Sequence, residues 1–124
     1  MATSIKITAG NIQVEAALND GPTAASITEA LPIQSEARRW GGEIYFSIPV
    51  SAELKSNSRD VLENGELAFW PPGNAFCLFF GSTPASQGDD IRAASPVNIV
   101  GKMKGDWSGL WEVQDGDPIT IERL

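Results

Sequence analysis

Apolar and polar positions alternate along most of the chain, and this predicts strands rather than helices. In SIKITAGNIQVEAAL, Ile5 and Ile7 lie on one arm and Ile12, Val14 and Ala16 on the other, either side of Ala9-Gly10-Asn11. That pattern predicts a hairpin. IQSEARRWGGEIYFSIPV gives two more alternating segments around Gly41-Gly42, with Ile44, Phe46 and Ile48 on one face and Glu43, Tyr45 and Ser47 on the other. ELAFW and NAFCLFF flank a Pro-Pro-Gly corner, IRAASPVNIVGKM holds a strand around Val97 to Met103, and PITIERL supplies a last one. LENGELAF and VQDGDPITI both place Asn-Gly or Asp-Gly before an alternating strand, because those pairs tolerate the positive φ of a tight turn. One helix is predicted in GPTAASITEALP: Pro22 suits the first helical position, Ala24, Ile27 and Leu31 share a face, and Pro32 ends it. SAELKSNSRDVLENG reads as a polar loop with one short turn, and residues 82–90 as a long charged loop. With about eight strands and so few helices, closing the sheet removes its edges. The expected fold is mainly β, a small barrel with one or two short helices, one of them over an end.

No linker or charge run divides the 124 residues, so a single domain over 1–124 is expected. Nine basic residues against 16 acidic ones give a net charge of -7, which disfavours nucleic acid and anionic lipid surfaces as partners. The start MATSIKITAG lacks the features of a signal peptide, and no apolar run approaches the ~20 residues that span a bilayer. The expected location is cytoplasmic, and the single cysteine, Cys77, agrees with a reducing compartment.

Histidine is absent, which excludes Ser-His and Cys-His nucleophile pairs and removes the commonest general base and metal ligand. With one cysteine, a thiolate-imidazole zinc site is excluded as well. Asp89-Asp90 has no calcium-loop spacing around it, and no phosphate-binding or dinucleotide glycine pattern occurs, so neither metal nor cofactor is expected. Carboxylates, tyrosine, arginine and aromatics remain. Glu43 and Tyr45 project from the same side of their strand about 7 Å apart, either as a solvated outer face or as part of a pocket. Of Arg38 and Arg39, at most one can join a site, since neighbours on a strand face opposite ways. Cys77, inside AFCLFF, reads as a small inert core residue. Trp70 has two readings. It packs the end of the barrel with its indole N–H satisfied, or the prolines hold it with Asn74 at a binding rim. Trp107 and Trp111, in GDWSGLWEV, are expected to pack a connection under the barrel.

WGGEIYFSIPV, GELAFWPPGNAFCLFFGSTPAS and IRAASPVNIVGKM, preceded by TAASITEALPI, resemble in that order the motifs of the small bacterial and archaeal cyclophilin-like proteins. These are an atypical branch of the cyclophilin fold, and most have no assigned function. The resemblance implies a closed eight-stranded barrel with a helix near one end. In true cyclophilins, the part similar to PPGNAFCLFF lines the groove that receives a peptide proline. The resemblance places Ala75 where those enzymes carry a pocket glutamine and Cys77 where they carry a pocket phenylalanine. It also implies an arginine near a phenylalanine and glutamine in an FHR-type segment, which this chain lacks.

The expected function is a binding module with little or no prolyl isomerase activity. Its rim, formed by Glu43, Tyr45, Trp70, Pro72, Asn74, Ala75 and Arg92, holds a small molecule or a peptide segment. Two alternatives stand beside it. One is an enzyme, either a divergent prolyl isomerase or a lyase or hydrolase using Glu43 or Glu66 as base, Tyr45 as acid and Arg92 as anion clamp. The other is an accessory subunit with a protein partner, since cyclophilin-like domains resemble parts of multi-subunit amide-cleaving enzymes.

Overall fold

A computed structural model describes residues 2–124. The first hairpin forms as its alternation predicts: β1 (Thr3–Ala9) and β2 (Ile12–Leu18) pair antiparallel about a turn in which Gly10 takes a φ of 59°. The helix α1 (Pro22–Ala30) begins at the proline and buries Thr23, Ala24 and Ile27. It ends at Ala30, two residues before Pro32, because the residue preceding a proline is pushed into extended backbone, and Leu31 has a ψ of 145°. β3 (Ile33–Glu36), β4 (Arg38–Arg39) and β5 (Glu43–Ser47) follow, then β6 (Arg59–Leu62), β7 (Glu66–Trp70), β8 (Ala75–Phe79), β9 (Ile91–Lys104) and β10 (Pro118–Arg123). Two 3-10 turns, Pro71–Gly73 and Ser108–Glu112, complete the elements. Among the described residues no helix is long and apolar enough to cross a membrane.

The strands form one antiparallel sheet in the order β3-β10-β1-β2-β9-β7-β8-β5-β4, with β6 paired to β9 off this path. The expectation of a closed eight-stranded barrel is corrected here: the described residues form ten strands, and the ladder is open between β3 and β4. Those two edges are successive pieces of one segment, interrupted at Ala37. There the backbone turns to bond residues 116 and 117 instead of continuing the pairing: Ala37 N–H donates to Asp117 O (2.8 Å) and Gly116 N–H to Ala37 O (2.8 Å). β3 therefore pairs only with β10, and β4 only with β5.

The main core lies on the inner face, where Ile5, Ile7, Leu18, Ile44, Phe46, Leu67, Phe69, Phe76 and Leu78 are buried with Ile27 of α1. β8 is buried on both faces: Phe76 and Leu78 enter the main core, whereas Ala75, Cys77 and Phe79 join a second, smaller cluster. The continuous apolar run AFCLFF thus marks a strand covered on both sides. The cover on the outer side comes from β6 and the first half of β9. β9 pairs with β6 over residues 91–97, and with β7 and β2 over 98–104. Between Arg59 and Val61 the register slips by several residues around Pro96, which has no N–H to donate to a ladder. The polar loop expected from 51 to 65 accordingly contains a strand, β6, whose Val61 is exposed and Leu62 buried.

The connection from 105 to 117 packs as expected in part. Trp107 rests against the main core and donates its indole N–H to Asn64 (2.9 Å), but Trp111 is 50% exposed. Trp111 stands edge-on to Phe80 (4.8 Å between centroids), and the Arg39 guanidinium lies 5.4 Å from both rings. Arg39 also donates to the carbonyls of Gly41, Trp111 and Val113, which ties the β4–β5 turn to this connection.

Candidate functional site

β5, β7 and the first half of β9 are not consecutive in sequence, yet all lie against β8 or its cover, and a slot of about 200 Å³ opens between them on the outer face. Trp40, Glu43 and Tyr45 line one side. Trp70 and, from β9, Ala93, Ala94 and Val97 line the other. At a liquid volume of about 30 Å³ per water, the slot has room for roughly seven waters, the size of one compact small molecule or one side chain.

Local sequence places each wall. Trp40 and Glu43 exchange backbone hydrogen bonds (2.9 and 3.2 Å) across a turn in which Gly41 takes a φ of 61°, and this sets the indole beside the carboxyl. Gly42 packs against the Gly81 backbone so closely that a Cβ there would lie 2.2 Å from it, so the turn accepts no side chain. Trp70 ends β7. The Pro71–Gly73 turn folds back beneath it, and a Cβ on Gly73 would lie 3.0 Å from the indole ring. The indole N–H of Trp70 donates to Ser95 Oγ at 2.7 Å, pinning the ring to the bend of β9. The indole N–H of Trp70 is thus satisfied internally, as the packing reading expects, and Trp70 also lines the slot, although Asn74 does not join it there.

Glu43 is the one carboxylate of the slot and is only 7% exposed. Among the described residues no lysine or arginine pairs with it. Burial pushes its pKa up to about 7, against the smaller opposing effect of the neighbouring Cys77 thiol, which itself donates to the Ala75 carbonyl (3.8 Å). Burial, followed by the nearby Glu43 charge, pushes the Cys77 thiol well above its usual range, so it remains protonated and unreactive. Glu66 is the contrasting case. Burial raises it, but a bidentate pair with Arg59 (2.6 and 2.7 Å) and the Glu63 N–H outweigh burial and hold it below the usual carboxylate range. A carboxylate so firmly ionised and engaged is a poor base. Glu43 is chemically adaptable, able to accept from a donor, pair with a cation, or exchange a proton near neutrality.

Of the residues singled out from sequence, Glu43, Tyr45 and Trp70 converge on the slot, and Ala75 lies buried in the cluster beneath it. Pro72 and Asn74 are exposed on the corner and do not line the slot. Asn74 instead closes the 3-10 turn in a left-handed conformation (φ 47°), and its carbonyl accepts from Ile48 N–H. Arg92 is engaged by Asp90 (2.8 Å) and Asp60 (3.4 Å), away from the lining. Trp40, Ala93, Ala94 and Val97 are slot residues that sequence reasoning missed. The signal for Trp40 was present in WGGE, where a tight glycine turn returns the chain onto itself. The alanines carry no signal.

A family profile described as cyclophilin-like matches residues 3–122. Among solved structures, the chain is similar to the solution structure of a hypothetical protein from Archaeoglobus fulgidus. The two are 43% identical, the TM-score is 0.85, and the match covers 99% of this chain and 95% of that one. No curated protein matches the chain.

Proposed function

The chain belongs to the cyclophilin-like family, and on that premise we propose that it is a small-ligand-binding domain with little or no prolyl isomerase activity, its ligand held in the outer slot. The observation that carries this reading is the Glu43 carboxyl, buried in an otherwise apolar concavity with no ion-pair partner among the described residues. Burying an ionisable group in this way opposes folding, and a convergent polar group in an apolar pocket is the usual form of a small-molecule site. The lining supports the weak-isomerase part: it holds no arginine, since Arg39 and Arg92 are committed to backbone carbonyls and to aspartates. The resemblance to cyclophilins further implies that Ala75 and Cys77 replace a pocket glutamine and a pocket phenylalanine of the isomerases.

Two measurements test this. A coupled peptide assay should show no acceleration of proline isomerisation above background; turnover within about tenfold of an ordinary cyclophilin would contradict the proposal. In a fragment screen read by amide chemical shifts, hits should perturb Trp40, Glu43 and Tyr45. Trp70→Ala should weaken them by about thirtyfold or more, as loss of an aromatic anchor does. Because Trp70 also bonds Ser95, Trp70→Phe serves as the control that keeps a ring while losing that bond. Hits mapping elsewhere, or undiminished by Trp70→Ala, would count against the slot.

A further inference from the structure

Resting on the slot as a ligand site, we propose that its ligand is a small organic cation, an alkylammonium whose charged head pairs with Glu43 and whose hydrocarbon body lies between Trp40, Tyr45 and Trp70.

Three observations lead there. The first is charge: Glu43 is the only charged side chain among the lining residues, and among the described residues it has no ion-pair partner, so a cation is what the site lacks. An anionic ligand would meet a like charge with no counter-ion, and a neutral one could at most donate a hydrogen bond, leaving the charge itself uncompensated, the costly case for a buried charge. The second is the walls. Two indoles and a phenol line the same slot, and the negative face of an aromatic ring attracts ammonium groups, more strongly when water is excluded. The third is size, since about 200 Å³ admits one compact head group with a short hydrocarbon body.

The groups around Glu43 do not supply the missing charge: Arg38 of β4 stands opposite Tyr45 in the ladder, but it is exposed and, among the described residues, makes no ion pair with Glu43. Tyr45 shares its strand, β8 contributes the Cys77 thiol, β7 contributes Trp70, and β9 contributes Ala93, Ala94 and Val97. With its pKa near 7, the carboxyl is mostly ionised at pH 8 and mostly protonated at pH 5.5. Cation affinity must therefore fall as pH drops through neutrality, while affinity for a neutral molecule of the same shape does not.

The test compares cyclohexylammonium with cyclohexanol, by calorimetry and by the fluorescence of the slot tryptophans, on the whole protein at pH 8. The ammonium should bind about tenfold or more tightly than the alcohol, a preference typical of a charge-assisted contact with an aromatic wall. Glu43→Gln should abolish that preference, as should pH 5.5, while an unchanged near-ultraviolet circular dichroism spectrum of the variant reports that the slot tryptophans keep their packing. Tighter binding of Nα-acetyl-lysine methylamide than of the free amine would support the same head-group chemistry and give its source as a peptide side chain. If the alcohol binds as tightly as the ammonium at pH 8, or if Glu43→Gln retains the preference, the cation inference is overturned while the slot stands. If neither compound binds, both readings fall.

Discussion

Replacing Phe76 by alanine is expected to lower the unfolding free energy by about 3 to 5 kcal/mol, as removal of a fully packed core aromatic does. Phe76 has no exposed surface and stacks on Phe46 of β5 at 5.6 Å. In the ladder it is paired with Phe46 on one side and Phe69 of β7 on the other, so the truncation opens a cavity that three strands share. A backbone held on both sides by pairing cannot collapse to fill it, which places the effect toward the upper end. Chemical denaturation of both proteins measures the difference. A change below about 1 kcal/mol would mean that β8 does not present this face to the main core.

Glu43→Gln is expected to act in the opposite direction, and only above acid pH. In the folded chain Glu43 holds its proton up to a pKa of about 7, against 4.5 when solvated, so folding takes up a proton between those values. Stability due to this group therefore falls as pH rises from 4.5 to 7; the full penalty applies above 7, and none applies below 4.5. The rise converts to about 3 kcal/mol. Glutamine keeps the shape and removes the charge, so the variant should be more stable than the wild type by about 3 kcal/mol at pH 8 and nearly equal to it at pH 4. Other carboxylates contribute to both curves, notably Glu66, whose pKa is lowered, but they cancel in the difference. A variant less stable than the wild type at pH 8 would show that the Glu43 carboxylate has a stabilising partner within the protein.

The inner face was legible because alternation there is strict. Ile5 and Ile7, and Ile44 and Phe46, enter the main core at the positions their spacing predicts, whereas the unbroken run AFCLFF left open that Phe76 and Leu78 share that face. Pro22 and Pro32 likewise bracket α1. What stayed hidden depends on which strands become neighbours. β5 and β7 both flank β8, so Glu43, Tyr45 and Trp70 meet on its outer side, but no local pattern states that order. β6 escaped notice because its four residues show no alternation; it is a strand because the first half of β9 offers it a ladder. The open edge at Ala37 was equally unreadable, since it follows from hydrogen bonds to residues 116 and 117, far along the chain. Arg92 looked free in sequence, but two aspartates hold it, one of them in β6.

The Glu43 carboxyl itself offers the most direct test. Its side-chain carbon can be followed by carbon-detected NMR as the free protein is titrated from acid to alkaline pH. A carboxyl buried in a ligand slot without a cationic partner should titrate with a midpoint of about 7, and the midpoint should move down when cyclohexylammonium is added. A midpoint near 4.5 in the free protein, unmoved by the amine, would mean that Glu43 is an ordinary solvated surface residue and that the slot is not a site.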